Sequence, residues 1–280
     1  MPSTAEKRRE FRRLHESGCF VIPNPWDIGN ARYLQGLGFK ALASTSAGYA
    51  FTLGLPDGAV TREMMLAHLR ELSEAADIPV NADFEGGFAD EPDGVAESVR
   101  LCCETGVAGL SIEDSTGDAQ NPLYDFDLSV ERVRAARAAI DKAGPDVVFT
   151  ARSEGFIRNR PDLKETIRRL TAYAEAGADC LYAPGIKTPE EIQAVVAAVR
   201  PKPVNFLMAA ATHFSIDDLA RLGVRRISLG GTLARVAWTA VIRALREIAD
   251  EGKFTNLAGT MANAELNEFF RNDIDRRKAP

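Results

Sequence analysis

The sequence has few cysteines, no long hydrophobic run and no excess of positive charge, and each absence excludes a class of protein. Its cysteines, which show no metal-binding spacing, are interpreted as small buried residues in a reducing compartment. No apolar stretch approaches the roughly 20 residues that span a bilayer. With a formal net charge of -6, the chain is not expected to bind nucleic acid or an anionic membrane surface.

Targeting signals, linkers and nucleotide-binding fingerprints are also missing. Residues 6–13 are basic but lack an apolar h-region, so we interpret them as a helix face and expect a cytoplasmic protein. No proline- or serine-rich linker divides the chain, which predicts one domain over residues 1–280. No glycine-rich dinucleotide fingerprint follows the first predicted strand, which argues against an open doubly wound sheet.

Short apolar segments alternate with helical ones along the chain, an order typical of a parallel α/β protein. Several helical segments end in a glycine that precedes the next strand, as in the Leu-Gly-Phe around Gly38 and the Ala-Gly-Ala around Gly177. Eight such units predict a closed (β/α)8 TIM barrel. The predicted strands are 19–22, 41–44, 80–83, 109–112, 147–151, 180–183, 204–207 and 226–229.

Helices are predicted where apolar residues recur every three or four positions. Segments 234–250 and 262–270 add two helices after the eighth strand, more than one terminal unit needs. Such surplus often serves contacts between subunits. The helices predicted inside the barrel are 61–76, 92–104, 128–143, 162–176 and 189–199.

Two acidic pairs follow neighbouring predicted strands. Asp83 and Glu85 end the third strand, and Glu113 with Asp114 ends the fourth. Ligands bind at the carboxyl ends of parallel strands, so four carboxylates there suggest a divalent cation such as Mg²⁺, which prefers oxygen ligands and retains waters. The structural alternative is that these acids cap helices or pair with arginines.

Further polar residues lie at other strand ends. Segment 44–48, Ser-Thr-Ser-Ala-Gly, has small residues that can approach an anion closely, or it is a simple turn. Asp57 lies in a Gly-Leu-Pro-Asp-Gly turn and is either a turn former or an outer carboxylate of the metal site.

Arg152 is the positive charge placed directly at a strand end among these acids. A buried guanidinium can hold a carboxylate and neutralise enolate charge, or it can serve as a salt-bridge partner for Glu113 or Asp83. Asn205 in the seventh strand either hydrogen-bonds a substrate or satisfies local backbone groups.

In order along the chain, these motifs resemble those of the isocitrate lyase/phosphoenolpyruvate mutase superfamily. The resemblance covers roughly residues 10 to 250, and the motifs are specific together although each is weak alone. They are Asn24-Pro-Trp-Asp27, Ser44-Thr-Ser-Ala-Gly48, Gly54-Leu-Pro-Asp57, Ala82-Asp-Phe-Glu-Gly86, Ile112-Glu-Asp114 and Ala151-Arg152.

The resemblance implies a Mg²⁺-dependent barrel enzyme, with Mn²⁺ as a substitute, that acts on small α-keto acids through a pyruvate enolate. By matching motifs, Asp83 would bind the metal directly, whereas Glu85, Glu113 and Asp57 would hold its waters. Arg152 would contact the substrate oxygens, and with Glu113 and Asp57 it forms the expected catalytic set. The substrate carboxylate would be bound by the segment Thr45, Ser46, Ala47 and Gly48.

The resemblance also implies a homo-oligomer, a dimer of dimers in which a C-terminal helix is exchanged between subunits. This would account for the surplus helices of residues 234–280.

The loop after the fourth strand departs from the best-known members. Isocitrate and methylisocitrate lyases carry a Lys-Lys/Arg-Cys-Gly-His motif there, whereas residues 115–125 contain neither cysteine nor histidine. Phosphonopyruvate-acting members have an asparagine in this loop, to which Asn121 would correspond, but this loop is shorter and lacks their lysines. Their histidine after strand six is replaced by the segment of Tyr182, and His213 is a candidate substitute.

These departures predict a Mg²⁺-dependent lyase that cleaves a C–C bond of a small α-keto or 2-hydroxy acid, either like oxaloacetate decarboxylase or like methylisocitrate lyase. One alternative is P–C bond chemistry on phosphonopyruvate or phosphoenolpyruvate. Another is an α-keto acid binding protein with little catalysis. The sequence does not name the physiological substrate or the general acid and base.

Overall fold

The computed structural model, which describes residues 2–144 and 146–278, contains eight parallel strands that alternate with helices and confirms the predicted barrel. Hydrogen-bonded neighbours follow the order β1-β8-β7-β6-β5-β4-β3-β2. The strands are β1 (Phe20–Ile22), β2 (Leu42–Ala43), β3 (Val80–Asp83), β4 (Gly109–Glu113), β5 (Val148–Arg152), β6 (Cys180–Tyr182), β7 (Val204–Leu207) and β8 (Arg226–Ser228).

The barrel is nearly closed between its first two strands. β1 pairs with β8 in parallel, with Phe20 opposite Arg226. On the other side of β1, the Ala43 N–H donates to the Pro23 carbonyl at 3.0 Å, and the Asn24 side-chain amide donates to the Ser44 carbonyl at 2.9 Å. These two bonds join the edges that a parallel sheet would otherwise leave open.

Each predicted helix is present in the structure, and three short helices were not predicted. Residues 28–36, 46–52 and 216–221 form these helices, which are too short to show several turns of periodicity. The helices are α1 (Thr4–Glu16), α2 (Ile28–Gly36), α3 (Ser46–Thr52), α4 (Arg62–Ala75), α5 (Pro92–Cys103), α6 (Phe126–Ala143), α7 (Leu163–Glu175), α8 (Pro189–Val199), α9 (Ile216–Arg221), α10 (Thr232–Glu251) and α11 (Asn263–Lys278), with a 3₁₀ turn at Thr255–Leu257.

The segment after β2 differs from its prediction. The strand was expected to extend through residue 44, but it ends at Ala43 because Thr45 begins α3 as its N-cap. The Thr45 hydroxyl accepts a hydrogen bond from the Gly48 N–H at 3.2 Å, which satisfies one free donor of the first helical turn. Ser46 therefore lies at a helix start rather than in an irregular loop.

The space inside the barrel is unusually polar. Barrel interiors are ordinarily filled by Val, Ile and Leu, and the apolar core of this chain lies mainly between the strands and the outer helices. Inside the barrel, several buried polar side chains replace the usual aliphatic layer. They are Asn81, Ser111, Thr150, Asn205 and Arg226.

Helix α1 lies across the N-terminal end of the barrel. Phe11 is fully buried and packs beneath Gly109, where an added Cβ would lie 2.4 Å from the Phe11 ring. The Arg8 side chain donates to the Val107 carbonyl at 3.1 Å, just before β4. Glycine at 109 is thus required because the helix approaches the strand closely.

The two C-terminal helices differ in their contacts. α11 packs on α2, where Arg32 and Asp273 form a buried ion pair at 2.5 Å and Tyr33 contacts Phe269. α10 buries only Ala234 and Ala244 and exposes most of its apolar side chains. None of the described helices combines the length and apolar character needed to cross a membrane.

Candidate functional site

A cavity of about 700 Å³ opens at the carboxyl ends of the strands, where the sequence places the candidate site. Gly48 and Asn121 do not line it: Gly48 lies within α3 and faces Trp26 and Ala234, and Asn121 lies in the loop after β4, facing another depression. The predicted residues that the structure brings together around the cavity are Thr45, Ser46, Ala47, Asp57, Asp83, Glu85, Glu113, Arg152 and Asn205.

Arg152 is the centre of this arrangement. Its guanidinium contacts three carboxylates, with Nη1 at 2.9 Å from Asp83, Nη2 at 3.1 Å from Glu113 and Nε at 2.9 Å from Glu154. It also lies over the ring of Tyr182, 5.0 Å from the centroid. These contacts fix the guanidinium plane, and a fixed guanidinium is suited to binding a planar carboxylate.

Asp83 is held from two sides. One carboxylate oxygen accepts from Arg152, and the other accepts from the Ser46 N–H at 3.0 Å and the Ser46 hydroxyl at 3.1 Å. The Asp83 N–H donates to the Ser44 hydroxyl at 2.9 Å. The small residues after β2 therefore orient Asp83, which is a function that the sequence did not indicate.

Glu154 is a site residue that the sequence reasoning missed. It is fully buried against Arg152, two residues further along the chain. The spacing of Arg152 and Glu154 was the available signal, because alternate residues at a strand end point to the same side.

Asp114 corrects the expectation of four converging carboxylates. Its neighbour Glu113 points into the cavity, but Asp114 points to the opposite side of β4 and does not line the cavity. Its oxygens accept from the Glu154 N–H at 2.8 Å, from Arg169 at 3.0 Å and from the Tyr173 hydroxyl at 2.8 Å. Asp114 thus anchors the loop after β5 behind the site.

The cavity carries a surplus of acidic groups, and the pKa values respond to it. Among the described residues, six carboxylates and three arginines line its wall. Burial raises the pKa of Glu85 to about 8, and the charges of Asp83 and Glu113 act in the same direction. Burial also raises the pKa of Glu113 and, with the Asp83 charge, that of Asp57.

The oxygen donors around the cavity bear on the divalent cation that the resemblance implies. No group of three or more His, Cys, Asp or Glu within residues 2–144 and 146–278 is placed to share a metal directly. The buried Oε1 of Glu85 nevertheless has no hydrogen-bond partner, and the lining donors are oxygen atoms beside excess negative charge. This arrangement fits a hydrated cation such as Mg²⁺, with few direct ligands and several retained waters.

Asn205 lies deeper than the acids, and its side chain is bonded on both sides. Its amide donates to the Ser228 hydroxyl at 2.9 Å, and its oxygen accepts from Arg226 at 2.8 Å. A substrate contact by Asn205 remains a prediction.

The loop after β4 is closed by an antiparallel bridge between Ser115 and Leu123. Its Asn121 amide is 3.5 Å from Asp118 and does not reach the cavity. No cysteine, histidine or lysine is found among the described residues that line the cavity. His213 is exposed and lies outside it.

Comparisons with known proteins find relatives that match most of this chain. The family model described as phosphoenolpyruvate phosphomutase matches residues 11–249. An uncharacterized protein of Mycobacterium tuberculosis is 33% identical over 86% of this chain and 89% of its own length. The 2-methylisocitrate lyase of Halalkalibacterium halodurans is 30% identical, covering 89% and 84%. The oxaloacetate decarboxylase of Paraburkholderia xenovorans is 29% identical, covering 85% and 76%.

Solved structures agree on the fold. A protein of Burkholderia cenocepacia described as a lyase/mutase is 48% identical with a TM-score of 0.91, covering 95% of this chain and 96% of its own. A phosphonopyruvate hydrolase complex with oxalate and Mg²⁺ is 25% identical with a TM-score of 0.83, covering 97% of each chain.

Proposed function

Because this chain belongs to the phosphoenolpyruvate phosphomutase family of the isocitrate lyase/phosphoenolpyruvate mutase superfamily, we propose that it is a Mg²⁺-dependent lyase that cleaves a C–C bond of a small α-keto or 2-hydroxy acid. An oxaloacetate-like acid that loses CO₂ is the substrate that the cavity favours. The observation that carries the proposal is the Arg152 guanidinium, held by three carboxylates in a cavity whose described lining residues include no cysteine, histidine or lysine.

Arg152 would bind the carboxylate and keto oxygens of the substrate. Its contacts with Glu113 and Glu154 hold it in place before the substrate arrives, so that little side-chain freedom is lost on binding. As electrons move from the breaking C–C bond to the keto oxygen, the guanidinium stabilises the growing negative charge.

Asp83, with Glu85, Glu113 and Asp57 acting through water, would hold the cation. When bound, a divalent cation supplies positive charge opposite the developing negative charge of the substrate. The hydroxyl and N–H of Ser46 keep the Asp83 carboxylate oriented toward this position. Mg²⁺ is named in the related phosphonopyruvate hydrolase structure, and it remains a proposal for this chain.

The side chains that line the cavity distinguish between the possible leaving groups. Loss of CO₂ requires no proton on the departing fragment, whereas cleavage that releases a keto acid or aldehyde from a 2-hydroxy acid requires a base for the hydroxyl. Because no cysteine or histidine is found among the described lining residues, the cavity favours decarboxylation over methylisocitrate-type cleavage. A phosphonate, with its greater negative charge, would gain little from a wall with excess carboxylates.

The test measures pyruvate formation from oxaloacetate in the presence of Mg²⁺, with a coupled assay that monitors the pyruvate. Asp83→Ala is expected to lower the enzyme-catalysed rate at least 100-fold, because it removes the direct cation ligand and one partner of Arg152. The exposed Asp217→Ala is the matched control and should retain the wild-type rate.

Other outcomes select among the alternatives. Conversion of phosphonopyruvate would identify a P–C bond enzyme. Saturable binding of oxalate without turnover of any α-keto or 2-hydroxy acid would identify a binding protein and refute the lyase proposal.

A further inference from the structure

The cavity continues below the level of Asp83 and Arg152 into the barrel. Its lower part is lined by the polar layer of the interior, including Asn81, Ser111 and Arg226. Asn81 precedes Asp83 by two residues on β3, so this floor lies roughly 6.6 Å deeper along the strand direction. The site thus has an upper level lined by carboxylates and a lower level that carries the positive charge of Arg226.

Arg226 provides a buried positive charge at this floor. Arg226 is only 3% exposed, and its guanidinium donates to the Asn205 side-chain oxygen at 2.8 Å and to the Thr150 hydroxyl at 3.0 Å. Its Nη1 also lies 3.3 Å from Nε2 of His15 on α1. All three partners are neutral or polar groups, and Arg226 forms no ion pair with any described Asp or Glu.

The His15 contact supplies no negative charge. Nδ1 of His15 lies 2.7 Å from the Phe11 carbonyl, which assigns the ring proton to Nδ1 and leaves Nε2 to accept from Arg226. Burial, together with the Arg226 charge, lowers the pKa of His15 to about 3, so the ring is neutral at physiological pH.

Two of the three other buried arginines among the described residues have a carboxylate partner, whereas Arg132 donates to the backbone carbonyls of Gly86, Ala89 and Asp90. Arg32 pairs with Asp273 at 2.5 Å, and Arg169 pairs with Asp114 at 3.0 Å. A buried charge is costly when no opposite charge accompanies it. Among the described residues, Arg226 is a buried guanidinium without an ion pair on the floor of an open cavity, which indicates an anionic ligand that reaches it from above.

We propose that Arg226 binds the second carboxylate of a four- or five-carbon dicarboxylic acid whose first carboxylate contacts Arg152. This inference rests on the proposed function and specifies its substrate class. Arg226 contacts Thr150, which lies directly below Arg152 on β5 at the two-residue spacing. A short dicarboxylate standing along the barrel axis can therefore reach both guanidinium groups, whereas the two-carbon oxalate is too short to do so.

The experiment compares two ligands by isothermal titration calorimetry in the presence of Mg²⁺. Oxalate occupies the upper level only, and 2-oxoglutarate is long enough to span both levels. Arg226→Met is expected to weaken 2-oxoglutarate binding about 10- to 100-fold, the range for a lost charge-assisted hydrogen bond. Its oxalate affinity should stay within about twofold of wild type.

A second pair of variants tests the same charge without changing the cavity wall. His15→Glu places a carboxylate beside Arg226 from the α1 side, whereas His15→Gln is neutral and serves as its control. His15→Glu should weaken 2-oxoglutarate binding at least 10-fold while His15→Gln should not, and neither should affect oxalate. This pair decides the question if Arg226→Met fails to fold.

Equal losses for both ligands would show that Arg226 supports the fold, and no loss for 2-oxoglutarate would show that the floor binds no carboxylate. Either result overturns the inference, as does a wild-type protein that does not bind 2-oxoglutarate. Arg226-dependent binding of 2-oxoglutarate without pyruvate formation from any candidate substrate would instead overturn the lyase proposal and leave the floor site intact.

Discussion

At the residue scale, Glu154 shows how one buried side chain can position another. It contacts no part of the cavity floor, but its carboxylate accepts from Nε of Arg152 while its own N–H donates to Asp114. The chain from Arg169 through Asp114 and Glu154 thus reaches the Arg152 guanidinium from behind the site. Orientation of a binding group by such partners is a general feature of catalytic sites.

We therefore predict that Glu154→Ala lowers kcat/KM for oxaloacetate, the substrate of the proposed assay, about 10- to 100-fold, because Nε of Arg152 loses its acceptor. Glu154→Gln retains an acceptor oxygen and should recover most of this loss, which a purely structural role in the cavity wall would not predict. Steady-state kinetics of both variants, with the surface variant Glu97→Ala as control, provide the measurement. An unchanged kcat/KM in Glu154→Ala would contradict the positioning role.

His68 gives a second residue-scale prediction, which concerns pH. Its ring is buried and stacks on Tyr49 with centroids 3.9 Å apart, and burial lowers its pKa from 6.5 to about 4. The unfolded chain takes up this proton below pH 6.5, whereas the folded chain does not until near pH 4. Stability is therefore lost as the pH falls through this window, by about 3 kcal/mol.

His68→Phe keeps the ring stack but cannot be protonated. Urea denaturation gives the free energy of unfolding of this variant and of wild type. From pH 7 to pH 4, the difference between the two should change by about 3 kcal/mol in favour of the variant. Between pH 7 and pH 8 the difference between the two proteins should stay constant. A difference that does not change between pH 7 and pH 4 would contradict the assignment.

Single residues also show the limits of prediction from the sequence. The positions of Asp83, Glu113 and Arg152 in the cavity were predictable because each ends an apolar strand, and strand ends converge. The opposite orientation of Asp114 was predictable in principle from strand alternation, but two adjacent acids look alike in a sequence. The Ser46 contact with Asp83 joins the start of α3 to the end of β3, and no local sequence pattern specifies how these two elements meet.

At the element scale, the strands and long helices were predictable because each contains enough residues to show its period. The helices α2, α3 and α9 contain only nine, seven and six residues, and their apolar residues show no clear repeat. The closure of the barrel by α1 was not predictable either, since its contacts with β4 and β8 span most of the chain.

The packing of α1 gives a prediction at this scale. Phe11 is fully buried against Phe20 and His15 at the N-terminal end of the barrel. Phe11→Ala should lower the free energy of unfolding by about 3 to 5 kcal/mol, since it leaves a cavity between the helix and the strands. Urea denaturation tests this, with the exposed Arg13→Ala expected to change stability by less than about 0.5 kcal/mol. A similar small change in Phe11→Ala would show that α1 is not part of the cooperative core.

At the scale of the whole molecule, α10 leaves an apolar stripe without a partner in its own chain. Trp238, Val241, Ile242 and Leu245 lie on one side of the helix and are 42–58% exposed. Stripes of this size on a 20-residue helix are typical of protein interfaces. We propose that a second copy of the chain covers this face, in keeping with the oligomer that the superfamily resemblance implies.

The double variant Val241→Asp/Leu245→Asp is therefore expected to reduce the oligomer to smaller species, because it places two charges in the apolar interface. Light scattering after size-exclusion chromatography gives the mass. Ala240→Asp, which adds a charge on the opposite side of α10, should leave the wild-type mass unchanged. A wild-type protein that is already monomeric would contradict the proposal.

The position of α1 has a further consequence for the order in which molecules leave the barrel. In the part of the chain that the structure describes, this helix covers the N-terminal end, so entry and exit take place past the carboxyl ends of the strands. Under the proposed reaction, a fragment formed at the level of Arg226 would lie behind the fragment bound at Arg152. The upper fragment would then leave first, and the deeper one would determine how soon the next substrate can bind.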